Sequence, residues 1–168
     1  MPRNGGFTLV ELMITITVMA ILIGVAVPGF QGMIQNHRAS TTANQLITGL
    51  LFARSEAVKR GEQVSLCPLN SAWSGSGGGW QVRVGNDCSG EQLRVWERLP
   101  ANTDVSANFS SGNRVTFGAL GDRVSAGSGG DGNHLFRVEP QSCTGERARE
   151  IFVGRGGAAS VGRSPCSS

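Results

Sequence analysis

Between Phe7 and Val27 the chain is apolar on every side of any helix it could form, and Glu11 is the one charge in the run. At 1.5 Å per residue such a helix is about 30 Å long, the thickness of a bilayer's hydrocarbon layer. Beyond Pro28 the apolar positions take the spacing of one helical face: Phe30, Met33, Ile34, then Ala43, Leu46, Ile47, Leu50, Ala53 and Ala57. Gln35, Asn36, Arg38, Asn44, Gln45 and Glu56 lie mostly elsewhere on the wheel. Lys59, Arg60 and Gly61 supply a stop, with cations in the last turn and glycine after it. The pattern predicts a helix from Phe7 to about Arg60, on the order of 80 Å long, whose outer half packs on a folded domain.

The period then changes to two. Residues 62–67, 80–84 and 92–99 alternate, with Val64 and Leu66, then Trp80, Val82 and Val84, then Leu93 and Val95 expected to point inward. Residues 104–109, 114–117, 134–138 and 147–153 continue the series. Turn residues between them predict antiparallel strands. The glycine-rich stretches at 74–80 and 125–133 are read as hairpin loops, because neither joins a strand to a helix with the lysine and hydroxyl of a phosphate-binding loop.

Composition narrows the class. The chain has 168 residues, 39% hydrophobic and 16% charged, enough for one membrane segment and one compact domain. The net charge of +3 permits anionic partners without demanding them. Nearly all the cations are arginine, Lys59 being the lone lysine, a bias read as genomic base composition. Cys67, Cys88, Cys143 and Cys166 are too far apart for a metal or redox C-x-x-C pair. Three connectivities are open to them. Pairing of sequence neighbours, Cys67 with Cys88 and Cys143 with Cys166, is the expected one, closing loops of about 20 residues and placing the domain outside the cytoplasm. His37 and His134 have no motif partner, and no nucleophile elbow or H-E-x-x-H stretch occurs. No enzyme, metal or cofactor is expected.

Glu11 sets the first run apart from a simple anchor or a cleaved secretory signal. An acidic group in a membrane helix is generally paired or functional, because an unpaired one costs several kcal/mol. The stretch Gly5-Gly6-Phe7-Thr8-Leu9-Val10-Glu11 ahead of an apolar run resembles the leader of type IV prepilins and type II secretion pseudopilins. That resemblance implies cleavage by a prepilin peptidase between Gly6 and Phe7 and N-methylation of Phe7. It implies an α+β pilin fold, a long helix whose outer half packs on an antiparallel sheet domain. Pro28 matches the family's helix-kinking proline. Glu11 would be neutralised by the terminal amine of a neighbouring subunit once the helices stack in a filament.

The residues LLFARSEAVKRGEQVSLCP (50–68), Gly79-Trp80 and LRVWERLP (93–100) resemble the GspH/FimT family of minor pilins and pseudopilins. The organisation expected is a leader (1–6), a transmembrane and filament-core half of the helix (7–28), an amphipathic half (29–61) and a β-domain with an arginine-bearing tail (62–168). The resemblance implies a structural subunit of a pilus, with the pseudopilus of a type II secretion system as the alternative. Its partners would be other pilins and the peptidase. Its place before assembly would be the bacterial inner membrane, single-pass, with a periplasmic C-terminal domain. FimT-like members carry Gly-Arg-x-Arg in the tail and are implicated in DNA capture. Here Gly154-Arg155-Gly156 matches, but Gly157 stands at the second arginine position. Arg147, Arg149, Arg155 and Arg163 are the candidate DNA-binding residues, with Arg147 and Arg149 expected on one strand face and the tail turning at residues 154–157.

Overall fold

The computed structural model describes residues 7–73, 78–97, 102–109, 113–125 and 134–167, without the side chains of residues 25, 27–29 and 31. Gly6, the Pro28 side chain and most of both glycine-rich stretches lie outside the described residues. The chain falls into two compact units that part between Ile34 and Gln35. One helix, α1 (Leu9–Arg60), contributes to both.

In the first unit α1 opens on a cap. Thr8 Oγ1 accepts a hydrogen bond from the Glu11 amide at 3.2 Å, which is the T-x-x-E spacing of a capping box. Thr15 and Thr17 donate their hydroxyls to the carbonyls of Leu12 and Met13, each at 2.8 Å. These two hydroxyls are thereby satisfied within the helix, as an apolar medium requires. Leu9, Val10, Met13, Ile16, Met19, Ile21, Leu22 and Ile23 are all more than half exposed. Such a helix is stable only where something apolar surrounds it. Among the described residues no helix is long and apolar enough to cross a membrane. The uninterrupted described part, residues 9–24, is about 24 Å long.

The second unit, Gln35–Ser168, holds the core. Ala39, Thr42, Ala43, Leu46, Leu50, Ala53 and Ala57 form a fully buried stripe on α1. Small residues alternating with leucine let the helix approach closely. Gly49 marks the tightest point: a Cβ there would lie 3.0 Å from Trp80 Nε1 and 3.2 Å from Leu66 Cδ1. Phe30, Met33 and Ile34, expected on this same face, are exposed, since they precede the residue at which the unit begins.

Among the described residues nine strands follow: β1 (Val64–Pro68), β2 (Gly79–Val84), β3 (Gln92–Glu97), β4 (Thr103–Ala107), β5 (Val115–Phe117), β6 (Arg123–Ser125), β7 (Phe136–Pro140), β8 (Ala148–Val153) and β9 (Ala159–Ser164). They form two antiparallel sheets, ordered β3-β2-β1-β5-β6 and β4-β7-β8-β9. Val64, Leu66, Trp80 and Val82 of the first sheet and Val105, Phe136, Val138, Ile151 and Val153 of the second join the helical stripe in one core. Val84, expected inward, is only half-buried at the strand end. The inward pattern of β3 also differs from the expectation. A register shift opposite Val82 and Arg83 leaves Leu93 as an extra residue, so Leu93 and Trp96, rather than Leu93 and Val95, pack on the core.

Disulfides join Cys67 to Cys88, from the end of β1 to the β2–β3 connection, and Cys143 to Cys166, from the β7–β8 connection to the tail. The sheets meet where the Arg123 amide donates to the Arg155 carbonyl at 2.8 Å. Arg54 of α1 reinforces that junction, its Nε donating to the Gly121 carbonyl at 2.9 Å and its Nη2 to the Gly156 carbonyl at 3.0 Å.

Candidate functional site

Two places carry the residues singled out in the sequence. At the chain's start Phe7 is 74% exposed and Glu11 occupies the first turn of α1, its amide already bonded to Thr8. A carboxylate there faces the positive end of the helix dipole. The capping role was missed in the sequence, although the Thr-x-x-Glu spacing that signals it was present. The cap itself is the Thr8 hydroxyl; the Glu11 carboxylate contributes its charge in the first turn.

The second place is the tail. Arg149 on β8 and Arg147, the residue just ahead of that strand, point the same way, as their spacing required, but toward α1. Arg149 is only 6% exposed. Its Nη1 donates to the carbonyls of Arg147 and Ala148 at 3.1 and 3.0 Å, and its Nη2 to Asn36 Oδ1 and to Ser40 Oγ, the latter at 3.2 Å. Burial, with Arg163 second, lowers its pKa from the ordinary value. The half-buried Arg147 donates to Gln35 Oε1 at 3.4 Å and to Thr144 Oγ1. The expected phosphate-tracking pair is thus corrected: four donors of Arg149 are already committed, and they fasten β8 to the helix. Arg155, in the β8–β9 turn, and Arg163, on β9 opposite Arg149, are exposed.

The turn explains the departure from Gly-Arg-x-Arg. Gly157 has φ +77°, and a Cβ on it would lie 2.0 Å from the Gly121 carbonyl oxygen and 2.9 Å from Arg54 Nε. An arginine cannot stand there without undoing the junction of the two sheets.

The opposite face of the second sheet is a paired network. Arg137 donates to Glu139 at 3.0 Å, to Glu150 at 2.9 Å and to the Pro165 carbonyl. The amide and hydroxyl of Ser167 donate to Glu139 at 2.7 and 2.9 Å, and His134 lies 3.6 Å from Glu150. With the Cys143–Cys166 bridge, these contacts hold the tail on the sheet. Burial pushes the Glu139 carboxyl up, but Arg137 and Ser167 outweigh it and leave it below its ordinary value of 4.5. A depressed carboxylate adds stability that is present above the unfolded-state pKa and lost as the pH falls through the folded one. Urea midpoints of the wild type should therefore exceed those of Glu139→Gln by a constant margin from about pH 8 to 5, and the margin should shrink below about pH 4.

Among the described residues the one group with metal-ligand geometry is Glu139, Cys143 and Cys166. Its two sulfurs are joined in a disulfide and offer no thiolate, so the group does not fit a metal ion.

A long N-terminal helix, buried along one stripe of its second half against antiparallel sheets, is the pilin fold. The chain is similar to the crystal structure of the type IV minor pilin FimU of Pseudomonas aeruginosa strain PAO1, at 21% identity and a TM-score of 0.53, over 73% of this chain and 91% of that one. At that identity the likeness is one of fold. A family model described as Type II transport protein GspH matches residues 42–157, and one described as the prokaryotic N-terminal methylation motif matches residues 1–27. No curated protein matches. The chain belongs to the GspH family. It is a type IV pilin-like protein, minor pilin or pseudopilin, of a class whose members are structural subunits that a prepilin peptidase processes and that assemble with other pilins.

Proposed function

We propose that this chain is a minor type IV pilin, held by one membrane pass in the inner membrane with its β-domain in the periplasm until it enters a pilus. The observation that carries the reading is the capped helix of the first unit, apolar and exposed on all sides, on a chain whose second unit carries two disulfides. A bilayer and a bundle of like helices are both apolar enough to cover it, and disulfides suit an oxidising compartment. The leader would be residues 1–6, cut before Phe7. Residues 7–28 would form the filament core, with Pro28 as a kink, residues 29–61 the amphipathic half and residues 62–168 the displayed domain. Glu11 would pair with the amine of an adjacent subunit.

The likeness to a type IV minor pilin supports the pilus; membership of a family described by its type II transport protein supports the secretion machine. The test is to shear surface filaments from the native bacterium and to measure protein export after deletion of the gene. Processed chain in the sheared filaments, with export intact, is expected. Chain retained in the envelope with export lost would make it a pseudopilin. DNA capture enters this reading only through Arg155 and Arg163, the two tail arginines that are exposed.

A further inference from the structure

Among the described residues the two sheets end on four strands, β3 and β6 in the first, β4 and β9 in the second. An outer edge offers amides and carbonyls that a further strand can bond, and natural sheets shield theirs. β3 is interrupted by its register shift, and β6 has three residues. On β4 the bonds from Gln141 to Asn102 and from Asn108 to Leu135 leave Thr103 and Val105 with outward backbone groups. Those two residues, main chain included, are only 5% and 3% exposed, so that edge is covered. β9 is neither short, bulged nor covered: its six residues pair with β8 in unbroken register, and Val161 is 44% exposed. The Gly154 amide donates to the Ala158 carbonyl at 2.9 Å, which sets the alternation of that ladder. Ser160, Gly162 and Ser164 therefore bond to β8, while the amides and carbonyls of Ala159, Val161 and Arg163 point outward. Among the described residues they meet no backbone partner there. Arg163 is exposed and forms no salt bridge among the described residues. No side-chain carboxylate stands between Ile151 and Ser168.

We propose that the outer edge of β9 receives an extended, acidic segment of another protein as a further strand of the second sheet. The backbone bonds would come from Ala159, Val161 and Arg163, and the choice of segment from two side chains. Val161 and Arg163 lie two residues apart and so share one face. A carboxylate of the segment would sit against Arg163, and an apolar side chain two residues from it against Val161. Charge selects the occupant. A second copy pairing edge to edge would bring two arginine-bearing, acid-free hairpins together, and like charges across a strand pair repel. Nucleic acid fits the edge poorly, because phosphates accept hydrogen bonds but donate none, and half of the outward groups are carbonyls. An extended peptide supplies both donors and acceptors.

The test follows amide hydrogen exchange, residue by residue, in the full chain held in detergent micelles. Two synthetic peptides serve as probes, one alternating threonine with valine and glutamate, the other with lysine in place of glutamate. In the free chain the amides of Ala159, Val161 and Arg163 should exchange faster than those of Ser160, Gly162 and Ser164, which bond to β8. The acidic peptide should slow the first three by about fivefold or more and leave the others as they were, and the lysine peptide should not. Val161→Pro deletes one outward amide without touching the β8–β9 ladder, and should abolish the slowing at Ala159 and Arg163. Arg163→Glu should reverse the preference, so that the lysine peptide protects. Slowing by neither peptide, equal slowing by both, or an unchanged preference in Arg163→Glu would overturn the inference. Slowing produced by a DNA duplex and not by the acidic peptide would also overturn it.

Discussion

Replacing Trp80 with alanine is expected to lower the unfolding free energy by about 3–5 kcal/mol, a large share of the 5–15 kcal/mol typical of a domain. Trp80 is 1% exposed and sits where the parts of the second unit converge. It stands opposite Pro68 on β1 and opposite Trp96 on β3. Beneath it Gly49 leaves no room for a Cβ, so the indole lies directly on the helix backbone. Truncation would open a cavity that neither a strand nor a helix held by its whole buried stripe can close. Trp80→Phe should cost less, because most of the contact area remains. Denaturant titration with the disulfides intact checks both. A loss below about 1 kcal/mol for Trp80→Ala would mean that the helix is not docked as described.

Glu11→Gln is expected to abolish entry into filaments while leaving the membrane-held precursor and its β-domain unchanged. The substitution separates the two roles of this residue. Glutamine serves a capping box as glutamate does, so the helix should start as before. What it removes is the negative charge that a neighbouring amine would neutralise. In an apolar filament core that amine would then be buried without a counter-charge, a penalty of several kcal/mol per subunit. Comparing sheared filaments with membranes by immunoblot reads the outcome. If Glu11→Gln assembles normally, the pairing role is wrong.

How far the chain could be read depended on whether the deciding contacts were local. The stripe from Ala43 to Ala57 was legible because helical packing repeats at a fixed interval, and β1 and β2 because half-buried strands alternate. The order of strands was not, since β1 pairs with β5 across three intervening strands, and no local pattern records that. β6 has three residues, too few to show a period. Leu93 and Val95 misled because a single extra residue reverses the parity of everything beyond it. For Arg147 and Arg149 the spacing fixed that they share a face but not which face. Arginine is generally exposed, so solvent was the natural reading. The polar Asn36 and Ser40 that receive Arg149 lie more than a hundred residues away in sequence. The Gly157 departure was visible from the first, yet its cause, the nearby Gly121 carbonyl, exists only once the two sheets have met.

In a processed pilin the apolar helix begins the mature chain; in an ordinary anchored protein it would follow a retained leader. Intact-mass measurement of the protein purified from its native membrane decides this directly. The expected mass is that of a chain starting at Phe7, lacking residues 1–6, carrying one added methyl group and retaining both disulfides. A chain starting at Met1, or one cut after the apolar run, would contradict it.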